Sequence, residues 1–263
     1  MLEFLKETTF KANDVFFRAL NILKHHYISV AGLCFLLFTT SNLSTFLASY
    51  LSDITGDVIK VVLLLFFVIL FFGLQLVLIK RAILLAKKAE KVSMMSYVPS
   101  VKQFVNFLLG LMLYSLITGV VYLICSLICM PLLYMGVDMD RILMEINPFM
   151  TGLVMMFILI RISFFPFFIV DHNYTLWRSC RLSVAFTKGN IANLLMLMCV
   201  LASAYVGQLA FEYLEYPIMA KMASLFNTFI IIPSVSLVLA VAYVDMMREY
   251  KGSDDPVLFK NII

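Results

Sequence analysis

Arg161 stands inside the apolar run ILIRISFFPFFIV, residues 158–170. A guanidinium stays charged at any pH and presents a planar fork of donors suited to phosphate or carboxylate. At membrane depth an arginine costs about 2.5–3.5 kcal/mol on insertion scales, so something must offset it. Two roles stay open. Arg161 either satisfies backbone carbonyls and neighbouring amides, or it binds a lipid phosphate or another anion. Gln75, Asn106, Asn193 and Asp245 lie in the half of the apolar runs toward which its side chain would snorkel; Gln208 and Asn227 lie in the other half. Pro166 lacks an N–H, frees the carbonyl near Ile162 and can kink the run there, and Pro233 does the same in a later run. Both prolines are hinge candidates.

Other reactive side chains form no constellation. The cysteines are Cys34, Cys125, Cys129, Cys180 and Cys199, with no C-x-x-C pair. Cys125 and Cys129 share a helix face, but no His or carboxylate lies beside them to complete a metal set. They read as small buried hydrophobes. His25, His26 and His172 fall at the ends of apolar runs without ligand spacing. The chain has no P-loop, G-x-G-x-x-G, H-E-x-x-H or G-x-S-x-G. Its carboxylates sit at run ends, away from Arg161. The sequence therefore predicts no enzyme, no metal and no cofactor.

The elements that must hold these residues are set by composition. Of 263 residues, 63% are hydrophobic and 14% charged, and mean hydropathy is +0.99. A soluble domain is about a quarter charged and needs a polar coat. The expected fold is an all-α integral membrane protein. Six runs reach the roughly 20 residues that a spanning helix needs: 28–50, 58–79, 104–130, 148–170, 191–211 and 224–246. Continuous runs exclude the alternating strands of a membrane barrel.

Lys and Arg sort by side. Sixteen of the twenty fall in the N-terminal segment, in 80–103, in 171–190 and in the C-terminal tail. Lys60, Arg141 and Lys221 fall on the other side, beside short acidic loops. The positive-inside rule then places both termini in the cytoplasm. Charges scattered through residues 1–26 argue against a signal peptide. The net charge of +4 gathers at run ends, which favours anionic lipid headgroups as partners over nucleic acid.

The basic segments carry a helical pattern. Leu5, Thr9, Ala12, Phe16, Ala19, Leu23 and Tyr27 recur at steps of three and four. Lys80, Lys87 and Lys91 make a basic stripe, and Trp177, Cys180, Val184 and Phe186 alternate with Arg178, Arg181 and Lys188. Interfacial amphipathic helices are expected in all three places. Three junctions align, ALNILKHHYISVAGL, YVPSVKQFVNFLLGL and SVAFTKGNIANLLML, each with Lys at its sixth position: Lys24, Lys102 and Lys188. This predicts one membrane domain over 1–263 built from three units, 1–79, 80–170 and 171–247, each an amphipathic helix followed by a hairpin of spans. Residues 248–263 read as a polar tail.

At FFPFFIVDHNYTLWRSCRLSVAFTKGNIANLLML the chain resembles a loose group of bacterial polytopic membrane proteins. The group includes the DUF975 and YciC-like proteins and the membrane domain attached to glycerophosphodiester phosphodiesterases. The likeness is carried by Pro166, Val170, Asp171, Ser183, Lys188, Gly189 and Asn190, over about thirty-five residues. No phosphodiesterase domain is present, so that activity does not carry over. The resemblance implies the bacterial inner membrane and a structural, envelope-linked or transport-linked role.

The expected function is non-enzymatic: lipid binding or scaffolding of a partner in the cell envelope, with a transporter or permease subunit for a small or lipidic substrate as the alternative. Candidate anion or lipid contacts are Arg161, Lys80, Arg81, Lys87, Lys88, Lys91, Arg178, Arg181 and Lys188. A protein partner or a second copy of the chain is the other expected contact.

Overall fold

The computed structural model describes residues 12–51, 57–88, 97–187 and 190–251. Among them every regular element is helical and there is no strand. Helix α1 is Ala12–Leu51, α2 is Asp57–Ala86 and α3 is Val101–Cys129, which tightens into a 3-10 segment, Met130–Met135. The short α4, Met139–Arg141, passes through a π turn, Ile142–Ile146, into α5, Asn147–Ile162. Then come α6, Phe165–His172; α7, Leu176–Thr187; and α8, Ile191–Tyr213. Finally α9, Pro217–Phe226, leads through a second π turn, Asn227–Ile231, into α10, Ile232–Lys251.

Six stretches are long and apolar enough to cross a membrane, as a multi-pass membrane protein requires: Ala12–Ser44, Val58–Ala86, Val101–Tyr134, Met139–His172, Ile191–Tyr213 and Pro217–Arg248. They contain the cores of all six runs read from the sequence. Most run longer, because helical backbone persists past the apolar stretch wherever nothing breaks it. No proline or glycine occurs from Ala12 to Ala31. The amphipathic segment therefore continues into the first span as one helix, with a kink at His26 (φ −118°, ψ 20°). Val15, Ala19 and Leu23 on that segment are buried in the core. Likewise α2 runs unbroken through Lys80 and Arg81, so both sit in the last two turns of a spanning helix. The third basic segment, by contrast, forms a helix of its own, α7.

The first and last helices, α1 and α10, pack together, and at their basic end they are tied by an ion pair. Arg18 on α1 forms an ion pair with Asp245 on α10. Helix α6 lies in the core against α2, α3 and α7, with Phe165 to Val170 all buried. It can be enclosed because it is apolar on every side. Tyr243 of α10, fully buried, meets the rings of Phe168 at 5.2 Å, Phe167 at 5.5 Å and Phe186 at 6.1 Å. Offset and edge contacts of this kind add to burial itself.

Each of the last two hairpins ties its spans with a buried asparagine at a π turn. Asn147 donates to Ser126 Oγ at 2.6 Å, and Asn227 donates to Gln208 Oε1 at 2.8 Å. In hydrocarbon a polar group finds its partner on a neighbouring helix or goes without.

Candidate functional site

The basic cations are largely engaged in holding the helices together. Lys80 Nζ donates to the Val98 carbonyl at 3.3 Å. Arg81 Nε donates to Ser29 Oγ at 3.1 Å, and its guanidinium bonds the Tyr97 hydroxyl and lies 4.8 Å over that ring. Lys87 pairs with Asp171 at 2.5 Å. Asp171 also accepts the Tyr243 hydroxyl at 3.1 Å and has His172 Nε2 at 3.2 Å. Three parts of the chain therefore converge at Asp171: the residues just past α2, the end of α6 with His172, and α10. Gln103, in the capping box of α3, donates to the Val170 carbonyl at 2.9 Å and brings α3 to the same place. Arg178 lies 4.1 Å over the Tyr174 ring. Lys88 is exposed just past α2, with a left-handed backbone (φ 60°), and Arg181 is exposed on α7. Lys91 and Lys188 lie outside the described residues, as do residues 1–11 and the tail beyond 251.

Arg161 is likewise tied to protein. Its Nη1 donates to the Val184 carbonyl of α7 at 3.3 Å. Its own carbonyl stands at the break between α5 and α6, which falls at Ser163 and Phe164 with Pro166 in the first turn beyond. A break leaves N–H and C=O groups without helical partners. Ser183 of α7 meets both sides: its hydroxyl donates to the Arg161 carbonyl at 2.9 Å and accepts the Phe164 N–H at 3.1 Å. Thr187 adds a longer bond to the same carbonyl, 3.4 Å. Of the polar residues nearest in the sequence reading, Asp245 bonds Arg18 and Asn106 bonds the Lys102 carbonyl.

The inward face of α7 thus carries hydroxyls. Ser179, Leu182, Ser183 and Thr187 are buried, while Trp177 is 68% and Val184 43% exposed. Ser179, Ser183 and Thr187 recur at steps of four. That spacing was the available signal for a polar face turned toward a broken span. Pro233 sits in the first turn of α10, directly after a π turn, and the span continues past it. Phe229 precedes Pro233 by one helical turn, and its carbonyl accepts the Tyr27 hydroxyl of α1 at 3.3 Å.

Beside the α5–α6 break is a cavity of about 540 Å³, bounded by α1, α2, α6, α8, α9 and α10. Ser163, Pro166 and Phe167 line it; Arg161 does not. Its polar wall is made of Ser41, Asn42, Gln75 and Tyr205 on one group of helices. Ser224, Thr228 and Ser236, at steps of four and eight, complete it along α9 and α10. Among the described residues that line it there is no Asp, Glu, Lys, Arg or His. A second, apolar groove of about 670 Å³ follows the α1–α2 seam toward the loop end, lined by Leu63, Leu64, Phe67 and Val68 with Lys60 at one end. Groove and cavity share Ser41 and Phe71. Along α2 they extend from Lys60 to Ile79, about 28 Å of helix, close to the hydrocarbon thickness of a bilayer. Among the described residues no group of three His, Cys, Asp or Glu could hold a metal. The sequence reading did not single out these cavity hydroxyls, because Ser and Thr are common in spanning helices.

No family model, curated protein or solved structure matches the chain.

Proposed function

We propose that the chain is a non-enzymatic membrane protein that binds a lipid between its helices. The observation that carries this is the uncharged, hydroxyl-lined cavity that continues into an apolar groove along the α1–α2 seam. Binding sites of small amphipaths are concave, mostly apolar and carry a few polar groups; this pair of spaces has that character. Among the described residues that line the cavity there is no carboxylate, imidazole or metal set, so we read the site as one for binding without chemical conversion. The charge asymmetry of the loops supports placement in a cytoplasmic membrane with both termini inside. The local likeness to bacterial polytopic proteins supports the inner membrane. In this reading Arg161 is a tie between α5 and α7, and anionic headgroups meet the outward-facing cations, Lys88 and Arg181 among them.

A transporter for a small or lipidic substrate is the second reading. It is favoured by one observation, the discontinuous α5–α6 span whose broken backbone borders the cavity. Broken helices line substrate sites in many transporters.

Native mass spectrometry of the gently solubilised protein tests lipid binding. Wild type carries a defined lipid and Ser236→Phe, which fills the cavity, loses it. Arg161→Leu keeps the lipid and melts at a lower temperature. Loss of the lipid in Arg161→Leu but not in Ser236→Phe would move the site to the arginine. A wild-type protein that carries no lipid under any mild condition would overturn the proposal.

A further inference from the structure

The walls of the cavity specify more than a lipid. Ser163 Oγ donates to the Ile160 carbonyl at 2.9 Å, Thr228 Oγ1 to the Ser224 carbonyl at 2.9 Å, and Ser236 Oγ to the Ile232 carbonyl at 2.9 Å. Asn42 Nδ2 donates to the Phe38 carbonyl at 2.8 Å. All four side chains line the cavity. A hydroxyl has one proton to give, and here each is directed to its own helix. What these groups turn to an occupant is oxygen lone pairs. The Asn42 amide, with one donor already used, likewise has its oxygen left to accept.

With these acceptors stand the donors of Gln75, Tyr205 and Ser224 and the second N–H of Asn42, but no cation is among the described lining residues, which disfavours an anionic head. A phosphate or carboxylate would enter a low-dielectric space with no positive partner, which is strongly unfavourable. A bare cation would meet no carboxylate. A neutral group that both donates one proton and accepts one, above all an alcohol, matches this mixed wall and loses little on leaving water. The adjoining groove, walled by Leu and Phe, suits a hydrocarbon chain and opens along the same seam.

We infer that the cavity holds the head of an uncharged lipid alcohol, with its chain in the α1–α2 groove. The inference rests on the lipid-binding proposal above and narrows it to one class of ligand. The alcohol gives its one proton to an oxygen of Ser163, Thr228 or Ser236 and accepts from a neighbouring donor. Gln75, with both donor and acceptor, completes the selection of a hydroxyl head over a hydrocarbon end.

The test uses the full chain in nanodiscs of a zwitterionic lipid, titrated with three probes of matched chains: dioleoylglycerol, its O-methyl ether and dioleoylphosphatidylglycerol. Bound probe is read by native mass spectrometry. Dioleoylglycerol is expected to bind at least about tenfold tighter than either other probe, because the ether has lost the donated proton and the phosphate brings a charge. Thr228→Val with Ser236→Ala, which removes acceptors while nearly keeping volume, is expected to abolish the preference for alcohol over ether. A melting temperature within a few degrees of wild type shows that this double variant is folded; if it is not, Ser236→Ala alone serves. Equal binding of alcohol and ether overturns the inference. So does preferred binding of the phosphatidylglycerol, and in that case the lipid-binding proposal survives. Failure of all three probes, together with no co-purified lipid, overturns both.

Discussion

Ser183 shows how one hydroxyl can hold a discontinuity in a membrane span. A backbone N–H and a carbonyl, on opposite sides of the α5–α6 break, converge on its single oxygen. Hydrocarbon offers them no water in its place. Ser183→Ala is therefore expected to cost about 1–3 kcal/mol, the penalty for buried polar groups left unmade. Ser183→Thr, which retains the hydroxyl, should recover part of it. Thermal unfolding in mild detergent measures both, and a Ser183→Ala protein as stable as wild type would show that the break needs no external partner. Cys180 lies on the same helix. Burial pushes its thiol up to about 11, so it is protonated at neutral pH. A thiolate-directed reagent is expected to label it slowly at pH 7 and progressively faster as pH rises toward that value. Rapid labelling at pH 7 would mean that α7 leaves its seat.

At the scale of elements, close approach decides which helices touch. Gly110 of α3 faces the Phe165 ring of α6; a Cβ there would collide with that ring and stand 3.1 Å from Leu176 of α7. Gly110→Val is expected to destabilise the bundle by about 1–3 kcal/mol through overpacking, whereas Gly119→Val, with open space around its Cβ, should leave it nearly unchanged. Melting temperatures of the pair decide the point. The spans themselves were legible in the sequence, since twenty apolar residues in a row have few other fates. What was not legible was where helices fail to stop. The stripe of Ala12, Ala19 and Leu23 was visible, yet its continuation through His26 into the first span depends on packing against the rest of the bundle. The buried face of α7 was not legible for a related reason. Apolar Trp177 and Val184 point away from the core because the broken span supplies polar backbone for Ser183 and Thr187 to bond. Nothing within residues 174–188 announces that a partner segment is broken. The cavity was hidden for the same reason: Ser163 and Thr228 are ordinary residues until six helices bring them to one wall.

At the scale of the whole molecule, the basic end is a small polar assembly outside the apolar core of the bundle. Asp171 joins Lys87 and Tyr243, and Asp245 joins Arg18. Lys87 is partly exposed, so solvent weakens its pair with Asp171. Asp171→Asn is accordingly expected to lower stability by only about 1 kcal/mol, and the loss should shrink further in high salt, which screens the wild-type Lys87–Asp171 pair. Denaturation at low and high ionic strength checks this, and a salt-independent loss would assign the effect to the Tyr243 bond instead.

The pairing of Arg18 with Asp245 spans 227 positions of the chain. A ribosome adds about 5–20 residues per second, so the first helix waits roughly 10 to 45 seconds, at that rate, before its last partner has even been made. For that interval the first and last helices cannot be joined, and the groove along the first hairpin forms before the cavity that continues it. Biogenesis then has an order: a nascent chain stopped before the final helix offers the groove alone, and the finished chamber comes into being only when the C-terminal helix closes against the first.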